Sequence, residues 1–326
     1  MDAATLETFT SPVILFFVLG MLAAFARSEL AVPEALAKGM SLYLMAAIGL
    51  KGGVAVSESG VDTTVALALL AGISASFLLP LFAFVVLKGF AKLDTLNSGA
   101  VAAHYGSVSV VTFVTAVQVY ELRGIPPGGF MVAVMAAMET PAILTGLMLA
   151  RKAIDKTDAK SQQGTGELLH EVFFNASVVL LLGAFAIGMI SGASGFADVE
   201  PFFQAGFKGV LCLFLLDMGL IAARRLMDAR AMTVRLALVA IFLPLVNGAL
   251  GTLLGSAIGL DVGSAAALGV LCASASYIAV PAAMRLALPQ ADAGIYLTMS
   301  LSVTFPFNIL INIGLIGALA SRLAAG

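Results

Sequence analysis

Serine hydroxyls set inside long apolar runs are the feature of this chain most able to do chemistry. They fall in two short stretches, His104–Thr115 (HYGSVSVVTFVT) and Ala273–Arg285 (ASASYIAVPAAMR). Each stretch carries residues that interrupt a helix: Gly106, Ser107 and Ser109 in the first, Ser274, Ser276 and Pro281 in the second. A break frees amide N–H groups at the start of the following half-helix and carbonyls at the end of the preceding one. The N–H end carries about half a positive charge and attracts anions, and the carbonyl end attracts cations. Paired breaks in two halves of a membrane protein point to the binding site of a secondary transporter. The residues expected to hold a small anion are therefore Gly106, Ser107, Val108 and Ser109, with Ala273, Ser274, Ala275, Ser276 and Tyr277. The competing reading is that Gly and Ser merely let helices approach closely.

Glu139 lies near the centre of another apolar run, MAAMETPAILT. A carboxylate inside a membrane is costly enough that its default reading is functional. Sodium is a hard cation that takes oxygen ligands, which Glu139, Thr140 and carbonyls freed by Pro141 could supply. Thr304 and Asn308, either side of Pro306, join the expected cation set together with Thr112 and Ser302. A protonated Glu139 hydrogen-bonded to backbone is the alternative. Asp217 is expected to form a structural ion pair with Arg224 or Arg225, and Lys51 to snorkel to the outer interface. His104 reads as a hydrogen-bonded spacer rather than a proton relay, and Cys212 and Cys272 as core residues. No HExxH, GxSxG, Walker loop or Cys/His cluster is present, so nothing supports an intramembrane enzyme.

The elements that must position these groups follow from composition. Of 326 residues, 60% are hydrophobic and 11% charged, against about 25% charged in a soluble domain. The expected fold is an all-α polytopic membrane protein. With a net charge of −2 and no basic stripe, nucleic acid is excluded as a partner; the bilayer itself is the expected one. Ten apolar spans appear, at 12–27, 34–56, 62–87, 97–120, 127–150, 169–192, 203–224, 232–258, 263–288 and 291–322. The first lacks a basic flank and reads as a membrane helix rather than a cleaved signal. The charged stretch Arg151–Gly166 is a linker at the midpoint, dividing a first five-helix repeat (1–150) from a second (167–326). The halves echo each other. Gly49-Leu50 recurs at Gly219-Leu220, Ser107-Val-Ser109 at Ser274-Ala-Ser276, and Pro141 at Pro306, at offsets of 170, 167 and 165. Five spans is an odd number, so the second half enters the membrane from the opposite side. The expected architecture is a 5+5 inverted repeat with two crossed discontinuous helices. Of the 17 Lys and Arg, only Lys51, Arg123, Lys208 and Arg322 fall outside the loops that are cytoplasmic when the N-terminus is external. The positive-inside rule then puts both termini outside and the linker in the cytoplasm.

At these same stretches the chain resembles the sodium-dependent bicarbonate transporters of cyanobacteria and their bacterial relatives, over nearly its full length except the linker. IGLKGG (48–53) is similar to that family's IGLTGG. The family pattern G-A-V-S-G-S-T falls on Gly106–Thr112, keeping Gly106, Val108, Ser109 and Thr112. M-D-I-P-A falls on Met138–Ala142, with Glu139 for the aspartate. S-S-S-D-I-S-G-P-P-T-L-R falls on Ser274–Arg285, keeping Ser274, Ser276, Ile278, Pro281 and Arg285. The resemblance implies a fold like that of sodium/bile-acid and sodium/proton carriers, one helix bundle holding the crossed helices and the other acting as a gate. It also implies sodium-coupled uptake of bicarbonate across a bacterial inner membrane, with Na+ as the coupling ion and room for a homo-oligomer. Two departures bear on the site: the family's aspartate is Tyr277 here, and a Gly-Ser pair is Val110-Val111. The middle segment is much shorter than the family's, so the PII-like regulator that contacts it in cyanobacteria is not carried over. The alternatives are a sodium- or proton-coupled carrier of a small organic acid, and a channel or passive anion sensor. A channel needs a continuous polar lining, which these apolar spans do not supply.

Overall fold

The computed structural model describes residues 10–60, 62–151, 176–229 and 232–325, and these contain helices and no strand. In chain order the helices are α1 (Pro12–Phe25), α2 (Glu34–Ser59), α3 (Thr63–Gly89), α4 (Thr95–Gly106), α5 (Val110–Leu122) and α6 (Met131–Arg151). There follow α7 (Ala176–Ala197), α8 (Phe207–Met227), α9 (Val234–Ala257), α10 (Val262–Ala273) and α11 (Ala279–Ala287). The last run, α12 (Ala293–Ala325), contains π-helical turns at Thr298–Thr304 and Asn308–Asn312. Among the described residues, seven helical runs are long and apolar enough to cross a membrane, the α4–α5 run counted as one. The linker expected at 151–166 lies, past Arg151, outside the described residues.

The helix ends follow from local chemistry. Asp62, Asp94, Thr233 and Asp261 cap α3, α4, α9 and α10, each side chain accepting from the amide three residues on. α1 is shorter than the run at 12–27 suggests, because Arg27 adopts a left-handed φ of 55° and ends the helix. The run expected at 97–120 is two helices, with Ser107 and Ser109 extended between them. The run expected at 263–288 is likewise divided between α10 and α11. α4 and α10 have 12 residues each, about 18 Å at 1.5 Å per residue. That is little more than half the thickness of a hydrocarbon core of about 30 Å, so neither helix is long enough to cross one by itself.

The helices pack in two groups. α1 lies along α8 and α2 along α7, while α3, α4 and α6 pack together and α9, α10 and α12 pack together. Small residues make the closest crossings. A β-carbon on Gly219 would overlap the Phe17 carbonyl of α1, and one on Gly49 would lie 2.7 Å from the Leu181 carbonyl of α7. The two glycines noted as echoes in the sequence thus do the same task, Gly219 seating α8 on α1 and Gly49 seating α2 on α7. One apolar core runs through both groups. Phe17 of α1 meets Phe305 of α12 edge-on at 5.4 Å, and Phe305 in turn meets the Tyr277 ring at 5.2 Å.

Candidate functional site

The residues between α4 and α5 meet those between α10 and α11 deep in the molecule. The Ser109 N–H donates to Ser274 Oγ at 3.0 Å, and the Ser276 N–H donates to the His104 carbonyl at 3.0 Å. Ser274 passes its own hydroxyl hydrogen to the Leu271 carbonyl at 2.8 Å. Ser109 Oγ accepts from the Thr112 N–H at 3.2 Å and the Thr112 hydroxyl at 3.0 Å, which caps α5. Ser276 Oγ accepts the Val280 N–H at 3.4 Å in the first turn of α11. Serine suits these places because one small side chain both donates and accepts. Gly106 is required for a different reason: a β-carbon there would overlap the ring of Pro80 in α3.

The groups that this bonding leaves free face one small cavity of about 20 Å³, room for a water-sized occupant in this state. It is lined by Val108, Ser109 and Val110 from the first segment, Ser276, Tyr277, Ile278 and Ala279 from the second, Glu139 from α6, and Ser41 and Met45 from α2. Ser109 and Ser276 accept hydrogen bonds through Oγ, so their hydroxyl hydrogens remain available. The Tyr277 hydroxyl is buried and lies toward Ser109 without reaching hydrogen-bond geometry with any described group. The Glu139 side chain is 5% exposed and meets no ion pair or hydrogen bond among the described residues. The cavity therefore offers two helix starts, four hydroxyls and a carboxylate, and among the described residues no Lys, Arg or His lines it.

The remaining expected anion residues stand behind this lining. Ser107 donates to the Glu139 carbonyl at 3.2 Å, tying the first segment to α6. The Ala273 carbonyl accepts from Asn308 Nδ2 at 2.9 Å, and Ala275 packs in an apolar core. The expected cation set divides. Glu139 is in the cavity, Thr112 bonds Ser109, and half-buried Thr140 sits beside them on α6. Thr304 donates to the Ala240 carbonyl at 2.6 Å and takes the Tyr105 hydroxyl at 2.7 Å. Asn308 Oδ1 accepts from Asn312 at 2.9 Å, and Ser302 Oγ is buried with no hydrogen-bond partner.

Ser76 of α3 donates to the Met138 carbonyl and accepts the Ala142 N–H at 3.1 Å, bridging the helix ladder beside Pro141. Two expectations are corrected. Asp217 forms no ion pair with Arg224 or Arg225, because Arg224 reaches the Leu30 carbonyl at 2.6 Å instead. Lys51 does not simply snorkel; its Nζ meets Glu121 Oε1 at 3.5 Å, and Gln118 donates to the other Glu121 oxygen at 2.6 Å. His104 is the spacer expected, its Nδ1 on the Ala100 carbonyl at 2.7 Å and its ring stacked on Tyr296 at 4.6 Å. Both cysteines are buried and unpaired.

Ser41 and Met45 escaped the sequence reading. They sit four apart on one face of α2, and Ser41 is one of several hydroxyl-bearing residues in that helix, with nothing in the sequence to single it out. A further echo was also there to read. Asp94 and Asp261 are 167 residues apart, as are Asn97 and Ser264, whose amides they accept.

None of the curated proteins matches the chain. A family model described as the Na+-dependent bicarbonate transporter superfamily matches residues 12–321, which include both non-helical segments, Glu139 and most of α12. The chain belongs to the Na+-dependent bicarbonate transporter superfamily.

Proposed function

We propose that the protein is a sodium-coupled symporter that imports bicarbonate by alternating access. The observation that carries this reading is the cavity where the two non-helical segments cross-bond. Thr112 N–H is taken by Ser109 Oγ and Phe113 N–H by the Ser109 carbonyl, so the first-turn amides of Val110 and Val111 have no intrahelical acceptor. With the start of α11 on the other side, the cavity combines two positively polarised helix ends with hydroxyl donors, which suits a small anion. Sodium is proposed to bind at Glu139, the one acidic side chain of the lining among the described residues, beside the anion it accompanies.

In this reading α4–α5 and α10–α11 are two crossed discontinuous membrane helices of a 5+5 inverted repeat. The reciprocal packing supports it: the first helix of each half lies against the second helix of the other, α1 on α8 and α7 on α2. The matching caps at Asp94 and Asp261 support it too. The group α1, α2, α7 and α8 would be the gate, and the group holding the cavity would move past it. Ser41 and Met45 of α2 then close the cavity from the gate side. Both termini are proposed to be external and the central linker cytoplasmic, with the protein in a bacterial inner membrane.

The test is uptake of radiolabelled bicarbonate into proteoliposomes with and without an inward sodium gradient. Uptake that depends on the gradient is expected. Its absence, with sodium- or proton-driven uptake of a three-carbon carboxylate in its place, would turn the assignment to organic acids; anion flux indifferent to both gradients would turn it to a channel.

A further inference from the structure

Tyr277 has an unusual environment for a buried phenol. Its ring is fixed edge-on against Phe305 at 5.2 Å, the residue lines the cavity, and its buried hydroxyl lies toward Ser109 without reaching hydrogen-bond geometry with any described residue. A buried hydroxyl without a partner is costly, and most buried polar atoms in native proteins have one. The neighbouring donors are in the same condition. Ser109 and Ser276 use their Oγ as acceptors for the caps of α5 and α11, so both O–H groups are left to face the cavity. Three hydroxyl donors therefore line one cavity where no cationic side chain is present among the described residues.

We infer that Tyr277 is a specificity-determining contact of the transported anion, its phenol O–H donating, with the Ser109 and Ser276 hydroxyls, to the oxygens of a small monovalent oxyanion. The inference rests on the reading of this cavity as the anion site. Charge limits the ligand to one negative charge. Among the described residues Glu139 is the only carboxylic acid in the lining and no basic group lines it, so a divalent anion beside Glu139 would be buried with nothing there to offset it. Several hydroxyl donors lining one small cavity suit an anion with several acceptor atoms, such as a small oxyanion. The ring, held by Phe305, keeps the phenol from turning away, so the donor is preorganised.

Tyr277→Phe removes the hydroxyl and keeps the ring. Purified wild type, Tyr277→Phe and Ser109→Ala are compared for binding of radiolabelled bicarbonate at saturating sodium, and for thermal unfolding in detergent. The expected result is a ten- to hundredfold weaker bicarbonate affinity for Tyr277→Phe, the range for a hydrogen bond to a charged group, with an unfolding temperature equal to or above that of wild type. The temperature matters because an oxygen without a protein partner contributes nothing to the fold. Unchanged binding in Tyr277→Phe with weakened binding in Ser109→Ala would overturn the role of Tyr277 and leave the anion site standing. A lowered unfolding temperature with unchanged binding would make the hydroxyl structural and overturn the inference. Absence of any sodium-dependent bicarbonate binding by wild type would remove the anion-site reading and this inference with it.

Discussion

Glu139 in α6 and Asn308 in α12 are alike in sequence: each is a polar residue two positions from a proline, in an otherwise apolar run, with a threonine close by. In the folded protein their surroundings differ. Asn308 donates to the Ala273 carbonyl at the end of α10 and accepts from Asn312, while Thr304 donates to the Ala240 carbonyl. Ala240 is four residues before Pro244, so its carbonyl is the one that proline leaves without an amide. Ala273 is the last residue of its helix, so its carbonyl is orphaned as well. The polar row of α12 thus closes the backbone gaps that a broken helix and a proline create. Glu139 closes none. Its backbone carbonyl is held by Ser107, and its carboxylate is left to the cavity. In an apolar medium the informative distinction is between a polar group with a partner and one without, since the second must find its partner in a ligand.

The comparison breaks most visibly at Glu139. Glu139→Gln keeps the size and removes the charge that would offset a sodium ion. The half-saturating sodium concentration for bicarbonate uptake should rise at least tenfold, about 1.4 kcal/mol, and more where the site is poorly solvated. A protonated, purely structural Glu139 is nearly isosteric with glutamine and predicts superimposable sodium curves; that result would take Glu139 out of the mechanism.

Asn308→Ala should behave in the opposite way. It strips the Ala273 carbonyl of its donor inside the protein, which costs about 1–2 kcal/mol of stability. The unfolding temperature should fall and the half-saturating sodium should stay where it was. Thr304→Val, which exposes the Ala240 carbonyl, should follow the same pattern. A tenfold sodium shift in either variant at unchanged stability would move the cation site to α12.

How much of this could be read beforehand depended on whether a feature is local. Hydropathy finds α2, α3 and α9 to within a few residues, because an apolar run between capping residues is a property of the run itself. The non-helical residues at 107–109 were legible because Gly106, Ser107 and Ser109 are poor helix formers clustered in one turn. The cavity lining was legible in part: Ser109, Ser276, Tyr277 and Glu139 were expected and converge, while Ser41 and Met45 come from a helix with no local mark. Partners were not legible. Nothing near Thr304 in sequence indicates that a carbonyl 64 residues away needs its hydroxyl, and nothing near Asp217 shows that Arg224 is drawn to the Leu30 carbonyl. Those assignments depend on which helices cross, and a single sequence does not show that.

The smallest effect is expected at the third polar cluster, where α2 meets α5. Lys51 Nζ is 3.5 Å from Glu121 Oε1 and 5.9 Å from the centre of the Phe207 ring, with both charged side chains about a third exposed. Unlike Glu139, every member has a protein partner, and Glu121 keeps its 2.6 Å bond from Gln118 when Lys51 is removed. Lys51→Met preserves the aliphatic stem that covers apolar surface. The loss is then that of a partly solvated ion pair, about 0.2–1 kcal/mol, and it should be seen only at low ionic strength. Thermal unfolding of wild type and Lys51→Met in low and high salt tests this, with a small gap expected to close as salt rises. A gap that persists in high salt would mean the pair is shielded from solvent. A large change in transport rate at unchanged stability would mean that the link between α2 and α5 must open during the cycle, and Lys51 would then join Glu139 among the polar groups whose work lies outside the static fold.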